Sequence, residues 1–65
     1  MIIYAYQRTF TKYNGQEDEI RTDYSQNIED LIAYYRQEKG KPYYNSFAFF
    51  KGELQPLMEI KIEEI

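Results

Sequence analysis

The spacing of hydrophobic and polar residues changes character along the chain. Residues 2 to 12 alternate, with Tyr4, Tyr6, Arg8, Phe10 and Lys12 at even positions and Ile3, Ala5, Gln7 and Thr9 at odd ones. That two-residue period predicts a β-strand with two unlike faces. Asn14-Gly15 marks a turn, and a second extended stretch begins near Glu19. From Ile28 the spacing lengthens, and Ile28, Leu31, Ile32 and Tyr35 share a face only in a helix, predicted over residues 26 to 39. Ser25 or Asn27 is placed to cap the first turn. Glu29 and Asp30 near the start and Arg36 and Lys39 near the end suit the helix dipole, while Gly40 and Pro42 terminate it. Residues 43 to 50 and 53 to 63 return to strand-like composition on either side of Lys51-Gly52.

These elements predict an α+β fold in the order ββαββ, a small antiparallel β-sheet with one α-helix packed across it. A two-residue turn at Asn14-Gly15 would set Arg8 against Arg21 and Phe10 against Glu19. A slip of two residues, with 13 to 18 as the loop, sets Lys12 against Glu19 and Arg8 against Asp23. The slipped register is expected, because each opposite-charge pair contributes about 0.2 to 1 kcal/mol. In the second hairpin, pairing Phe50 with Glu53 places Tyr43, Phe47 and Phe49 beside Leu54, Met58, Ile60 and Ile62, the face that should cover the helix. A bulged turn with Gly52 left-handed competes, since Lys51 is a poor residue for positive φ. Pro56 has no N–H to donate and belongs on an edge or at a bulge.

Composition narrows the function classes. Sixty-five residues form one domain, 1–65, with 43% hydrophobic and 18% aromatic residues and a net charge of -3. His, Cys and Trp are absent, which removes the usual metal ligands, the thiol nucleophile and any disulfide. Carboxylates are the remaining general acids and bases, and they need a cleft that so small a domain rarely encloses, so neither enzymatic activity nor a cofactor or metal is expected. A chain this short buries only about 60% of its unfolded surface, and oligomerisation is one way to compensate, so a homodimer or higher assembly is expected. No leader-like or membrane-spanning apolar run is present, which predicts a cytoplasmic protein. The abundance of Ile, Lys, Tyr, Asn and Phe hints at an AT-rich bacterial or bacteriophage genome.

Two sets of residues are candidates for function. Residues 17 to 30 carry Glu17, Asp18, Glu19, Asp23, Glu29 and Asp30 against the single cation Arg21. Such a block could imitate spaced phosphates and occupy a basic nucleic-acid-binding surface, although acids also favour loops, strand edges and helix starts. The second set is Tyr4, Tyr6, Arg8 and Phe10, an aromatic strand face that would serve as a protein interface or as a stacking platform for single strands. An isoelectric point near 4.8 opposes the second use.

The string Ser46-Phe47-Ala48-Phe49-Phe50 resembles the aromatic core of the RNP1 strand of RNA-recognition modules, whose rings stack on bases. It covers five residues, has Asn45-Ser46 where the basic-Gly pair belongs, and sits in a chain with one predicted helix where that fold has two, so Phe47 and Phe49 are expected in the core. Taken together the sequence predicts a non-enzymatic binding protein acting by protein-protein contact. Its sharpest form is a phage or mobile-element inhibitor of a host nucleic-acid-acting protein, of the anti-defence or anti-CRISPR type. The alternatives are a single-stranded nucleic-acid-binding module and a purely structural homo-oligomeric subunit.

Overall fold

The alternating N-terminal stretch forms β1 (Ile3–Phe10), followed by β2 (Glu19–Ser25), α1 (Ile28–Glu38), β3 (Tyr44–Gly52) and β4 (Met58–Ile60). The computed structural model describes residues 1–12, 17–53 and 56–62. The strands make one antiparallel sheet in the order β2-β1-β3-β4, with one helix. The predicted α+β class and element order are therefore those of the protein.

Strands β2 and β3 run parallel with β1 between them, so α1 is the crossover of a split β-α-β unit. The crossover carries the helix over the even-numbered face of β1. Tyr6, Leu31, Ile32 and Phe49 form the buried core, with Tyr4, Ile28, Tyr35, Phe47, Ile60 and Ile62 packed around it. The four helix positions named from their spacing are thus the ones that face the sheet. Burying Leu31, which is 1% exposed, contributes about 1.5 to 3 kcal/mol. Aromatic geometry fixes the packing: the Tyr6 ring stacks on Phe49 at 4.9 Å, and Tyr35 meets Phe47 edge-on at 5.3 Å.

The helix starts where its cap allows. Asn27 has extended dihedrals (φ -112°, ψ 109°) and its side-chain oxygen accepts from the Glu29 N–H at 3.1 Å. Ser25 supports the cap, its hydroxyl accepting from the Asn27 N–H and donating to Asp30. At the other end the Lys39 N–H returns to the Tyr35 carbonyl at 2.8 Å.

Both hairpins differ from expectation, each for a physical reason. In the first, Arg8 lies opposite Arg21 and Phe10 opposite Glu19, the register of the two-residue turn and not the slipped one. Residues 13 to 16 of the expected loop lie outside the described residues. The charge pairs that argued for the slip are nonetheless made, diagonally: Arg8 reaches Asp23 at 2.7 Å and Lys12 reaches Glu19 at 3.6 Å. Long side chains reach diagonal neighbours, so charge pairing does not distinguish these two registers. The opposed Arg8 and Arg21 are each covered separately, the latter by Glu19 at 2.8 Å and by the Phe10 ring at 4.4 Å.

In the second hairpin, Lys51 and Gly52 are ladder residues of β3 rather than a turn, because β1 holds them opposite Tyr4 and Ile3. β4 begins only at Met58, and Phe49 pairs with Ile60 and Phe50 with Glu59. Since the difference from the expected pairing is an even number of residues, the faces are unchanged and Ile60 and Ile62 join the core as expected. Met58 remains 68% exposed, and Leu54 lies outside the described residues.

A bulge in β3 accounts for the remaining difference. The β1–β3 register shifts between Gln7 and Thr9, so that Ser46 and Phe47 together oppose Arg8, and Ser46 has φ 56°. The extra residue reverses the facing of what precedes it. Tyr44, not Tyr43, therefore lies opposite Phe10 on the helix side.

Candidate protein-binding surface

The aromatic strand face expected to meet a partner is instead the floor of the core. Tyr6 is 0% and Arg8 6% exposed, while Tyr4 and Phe10 are half-buried. The expectation assigned the helix-covering face to the second hairpin, whereas the crossover lays α1 across the even face of β1 as well. Phe49 of the RNP1-like string is buried there too, as core packing required.

Arg8 is held by charge from two elements. Its guanidinium donates to Asp23 of β2 at 2.7 Å, meets Glu38 of α1 at 3.2 Å, and lies 4.7 Å from the centre of the Tyr6 ring. Burial alone would lower its pKa, but the Asp23 hydrogen bond and the charges of Glu38 and Asp23 raise it above the ordinary guanidinium value. Burial first, and then the neighbouring Glu38, push the Tyr6 hydroxyl well above the ordinary tyrosine value of 10.0. This cluster ties β1, β2 and the end of α1 together.

The six acids do not gather into one site. Glu17 and Asp18 are exposed just before β2, and Glu29 and Asp30 are exposed in the first turn of α1. Between those groups runs β2, about 20 Å long at 3.3 Å per residue. Glu19 is engaged by Arg21, which together with Lys12 holds its carboxyl below the usual range, and Asp23 is engaged by Arg8. Among the described residues no group of three or more carboxylates is arranged to hold a metal ion. No helix among the described residues is long and apolar enough to cross a membrane.

The residues left open are others. Register and strand period put Ile20, Thr22 and Tyr24 of β2 on the sheet face away from the helix, beside Ala5, Gln7 and Thr9 of β1 and Ala48 and Phe50 of β3. On this open face Ile20 is 65% and Tyr24 63% exposed. Tyr24, Phe50, Ala5 and Leu57 line a shallow groove of about 290 Å³. Among the described strand residues the face carries no cation; Arg8, Arg21 and Lys51 all point to the helix side, and Glu59 lies opposite Phe50. The alternation of Ile20, Thr22 and Tyr24 with Glu19, Arg21 and Asp23 was a usable signal, because both hairpin registers put the apolar set on the face opposite Tyr6.

Comparison with protein-family models, curated proteins and solved structures finds no match to this chain.

Proposed function

We propose that the protein is a non-enzymatic binding domain that works by protein-protein contact through the open face of its sheet. One observation carries this reading: Ile20 and Tyr24 are about two-thirds exposed on a face with no strand cation, while the charged residues of the same strand point to the helix side. An exposed apolar patch rimmed by polar residues is the usual mark of an interaction site. Glu59, opposite Phe50 on the open face, and Glu17 and Asp18 just before β2 give that patch acidic neighbours, while Glu29 and Asp30 add negative charge on the helix side; this suits a basic partner and would steer its approach. The partner class that combines basic charge with exposed apolar surface is a nucleic-acid-acting protein. Inhibition of such a host protein in the bacterial cytoplasm, by a phage or mobile-element product of the anti-defence or anti-CRISPR type, is the specific form of this reading.

The test is capture at low salt from a bacterial lysate on immobilised wild-type protein and on the Ile20→Ser, Tyr24→Ser double variant. A nucleic-acid-acting protein retained by the first and lost by the second supports the proposal. Identical retention by both would overturn it. Tight binding of labelled single-stranded DNA or RNA would favour the nucleic-acid-binding alternative, although its aromatic platform, Tyr4 to Phe10, lies under the helix.

A further inference from the structure

The strand order leaves β2 at one edge of the sheet, and its seven residues form an unbroken ladder with β1 on one side only. Edge strands ordinarily carry a device against pairing with another chain, such as a bulge, a Pro, a Lys or extreme shortness. Glu19–Ser25, whose sequence is EIRTDYS, has no bulge, Pro or Lys and is seven residues long; its inward-pointing charges, Glu19, Arg21 and Asp23, are the one such device it carries, and they are of both signs. That sequence is complementary to itself when reversed. Laid antiparallel on a second copy about a two-fold axis through Thr22, it sets Arg21 against Asp23 of the second copy and Asp23 against Arg21 of the second copy. The same register sets Ile20 against Tyr24 twice and Thr22 against Thr22, with Glu19 against Ser25 at the ends.

We propose that two copies of this chain pair along their β2 strands in this register, joining two four-stranded sheets into one continuous sheet. The contact is isologous, as a two-fold dimer requires, and uses strand addition to an exposed edge. Charge complementarity identifies the occupant. Moving the second strand by two residues either way brings Arg21 against Arg21 or Asp23 against Asp23. A shift by one residue would oppose residues of unlike faces. Among the near registers only the full-length one gives two opposite-charge pairs and two apolar pairs, each of a kind that stabilises a sheet.

The side chains are exposed enough to make these pairs alongside the bonds they already hold. Arg21 is 43% and Asp23 47% exposed at the side chain; Arg21 gives Nε to Glu19 and Nη1 to the Tyr44 hydroxyl, which leaves Nη2, and Arg8 donates to Asp23 through Oδ2, which leaves Oδ1 for the incoming guanidinium. A second observation points to the same edge. Tyr34, 46% exposed, lines a groove of about 330 Å³ between α1 and β2 together with Asp23 and Tyr24. In the paired sheet both helices lie on the same side, and Tyr34 of each faces the other copy's β2. The inference needs only the β2 edge and is independent of any partner on the open face. If both hold, the two open faces merge and Ile20 and Tyr24 of both copies form one patch.

Light scattering should give twice 7.9 kDa at high micromolar concentration. Arg21→Asp, which opposes Asp23 with a second acid, should weaken the dimer about tenfold or more while leaving the circular dichroism unchanged. The absence of cysteine makes the register directly testable. Residues opposed across a two-fold axis have Cα atoms about 4.5 to 5.5 Å apart, within the span of a disulfide. Thr22→Cys should therefore oxidise to a covalent dimer, whereas Gln7→Cys, on the same face but one strand inward, should not. Ile20→Cys and Tyr24→Cys should cross-link with one another when mixed and poorly with themselves. A monomeric mass at millimolar concentration would overturn the proposal. So would a dimer that Arg21→Asp does not weaken and Thr22→Cys does not lock.

Discussion

The two edges of this sheet are built on opposite principles. β4 is three residues long, follows Pro56, and is attached through apolar contacts, with Ile60 opposite Phe49 and packed on the core. β2 is seven residues long and regular, and it is attached through charge, with Asp23 on the buried Arg8 and Glu19 on Lys12. Short length and a neighbouring Pro make β4 a poor template for another strand, whereas β2 keeps a full row of outward backbone groups. The difference teaches that exposure of an edge is a sequence choice. The same 65 residues that blunt one side present, on the other, a strand whose apolar residues point away from the core.

Breaking the charged attachment should have the largest effect. Arg8→Met leaves Asp23 and Glu38 without their shared cation, and removing one partner of a buried ionic cluster costs about 3 to 5 kcal/mol. A domain of this size has little more than that in total, so the variant should be largely unfolded in thermal and urea denaturation followed by circular dichroism. A loss under about 1 kcal/mol would show that β2 is held by its backbone ladder alone.

The same cluster predicts an alkaline limit. Tyr6 keeps its proton in the folded protein above the value of 10.0 at which the unfolded chain releases it. Its contribution is therefore full below pH 10 and is lost as pH rises beyond it, at up to about 1.4 kcal/mol per pH unit. Urea midpoints measured from pH 8 to 11.5 should fall above pH 10, and Tyr6→Phe should flatten that fall. Parallel curves for the two proteins would remove the hydroxyl from the explanation.

The apolar attachment should be less sensitive. Ile60 is half-buried, so Ile60→Ala should cost about 1 to 1.5 kcal/mol, below the range for a fully buried site. Amide exchange should then quicken in β4 and the adjoining part of β3 while β2 stays protected, the reverse of what a milder Arg8 variant should show.

How much of this was legible in the sequence depends on the distance over which each feature is decided. The helix was readable because the spacing of Ile28, Leu31, Ile32 and Tyr35 and the cap at Asn27 are local. The faces of β3 and β4 were readable because parity survives an even slip in register. The role of Tyr6 was not, since it depends on β3 pairing with β1 across the helix, and that is a tertiary choice with no local mark. The register of the first hairpin was not legible from charge, because Arg8 and Lys12 reach their acids diagonally and both registers allow the same ion pairs. Of the candidate surface, Ile20 and Tyr24 were visible as an alternation but became meaningful only once the helix was known to cover the other face.

The smallest expected effect lies between the two edges, at the bulge that separates their styles of attachment. Ser46 occupies φ 56°, a conformation that costs a residue with a Cβ about 1 to 2 kcal/mol and costs glycine almost nothing. Ser46 is exposed, so its hydroxyl has water for a partner. Ser46→Gly should therefore relieve the strain, while the greater freedom of glycine in the unfolded chain offsets about half of the gain. A net stabilisation of about 0.5 kcal/mol is expected in urea denaturation, with the Arg8 cluster intact because the bulge itself is preserved. The variant touches neither edge, so the mass measured by light scattering should match that of the unmodified chain. A destabilisation of comparable size would mean that the Ser46 side chain, and not only the extra residue, shapes the space that Arg8 occupies.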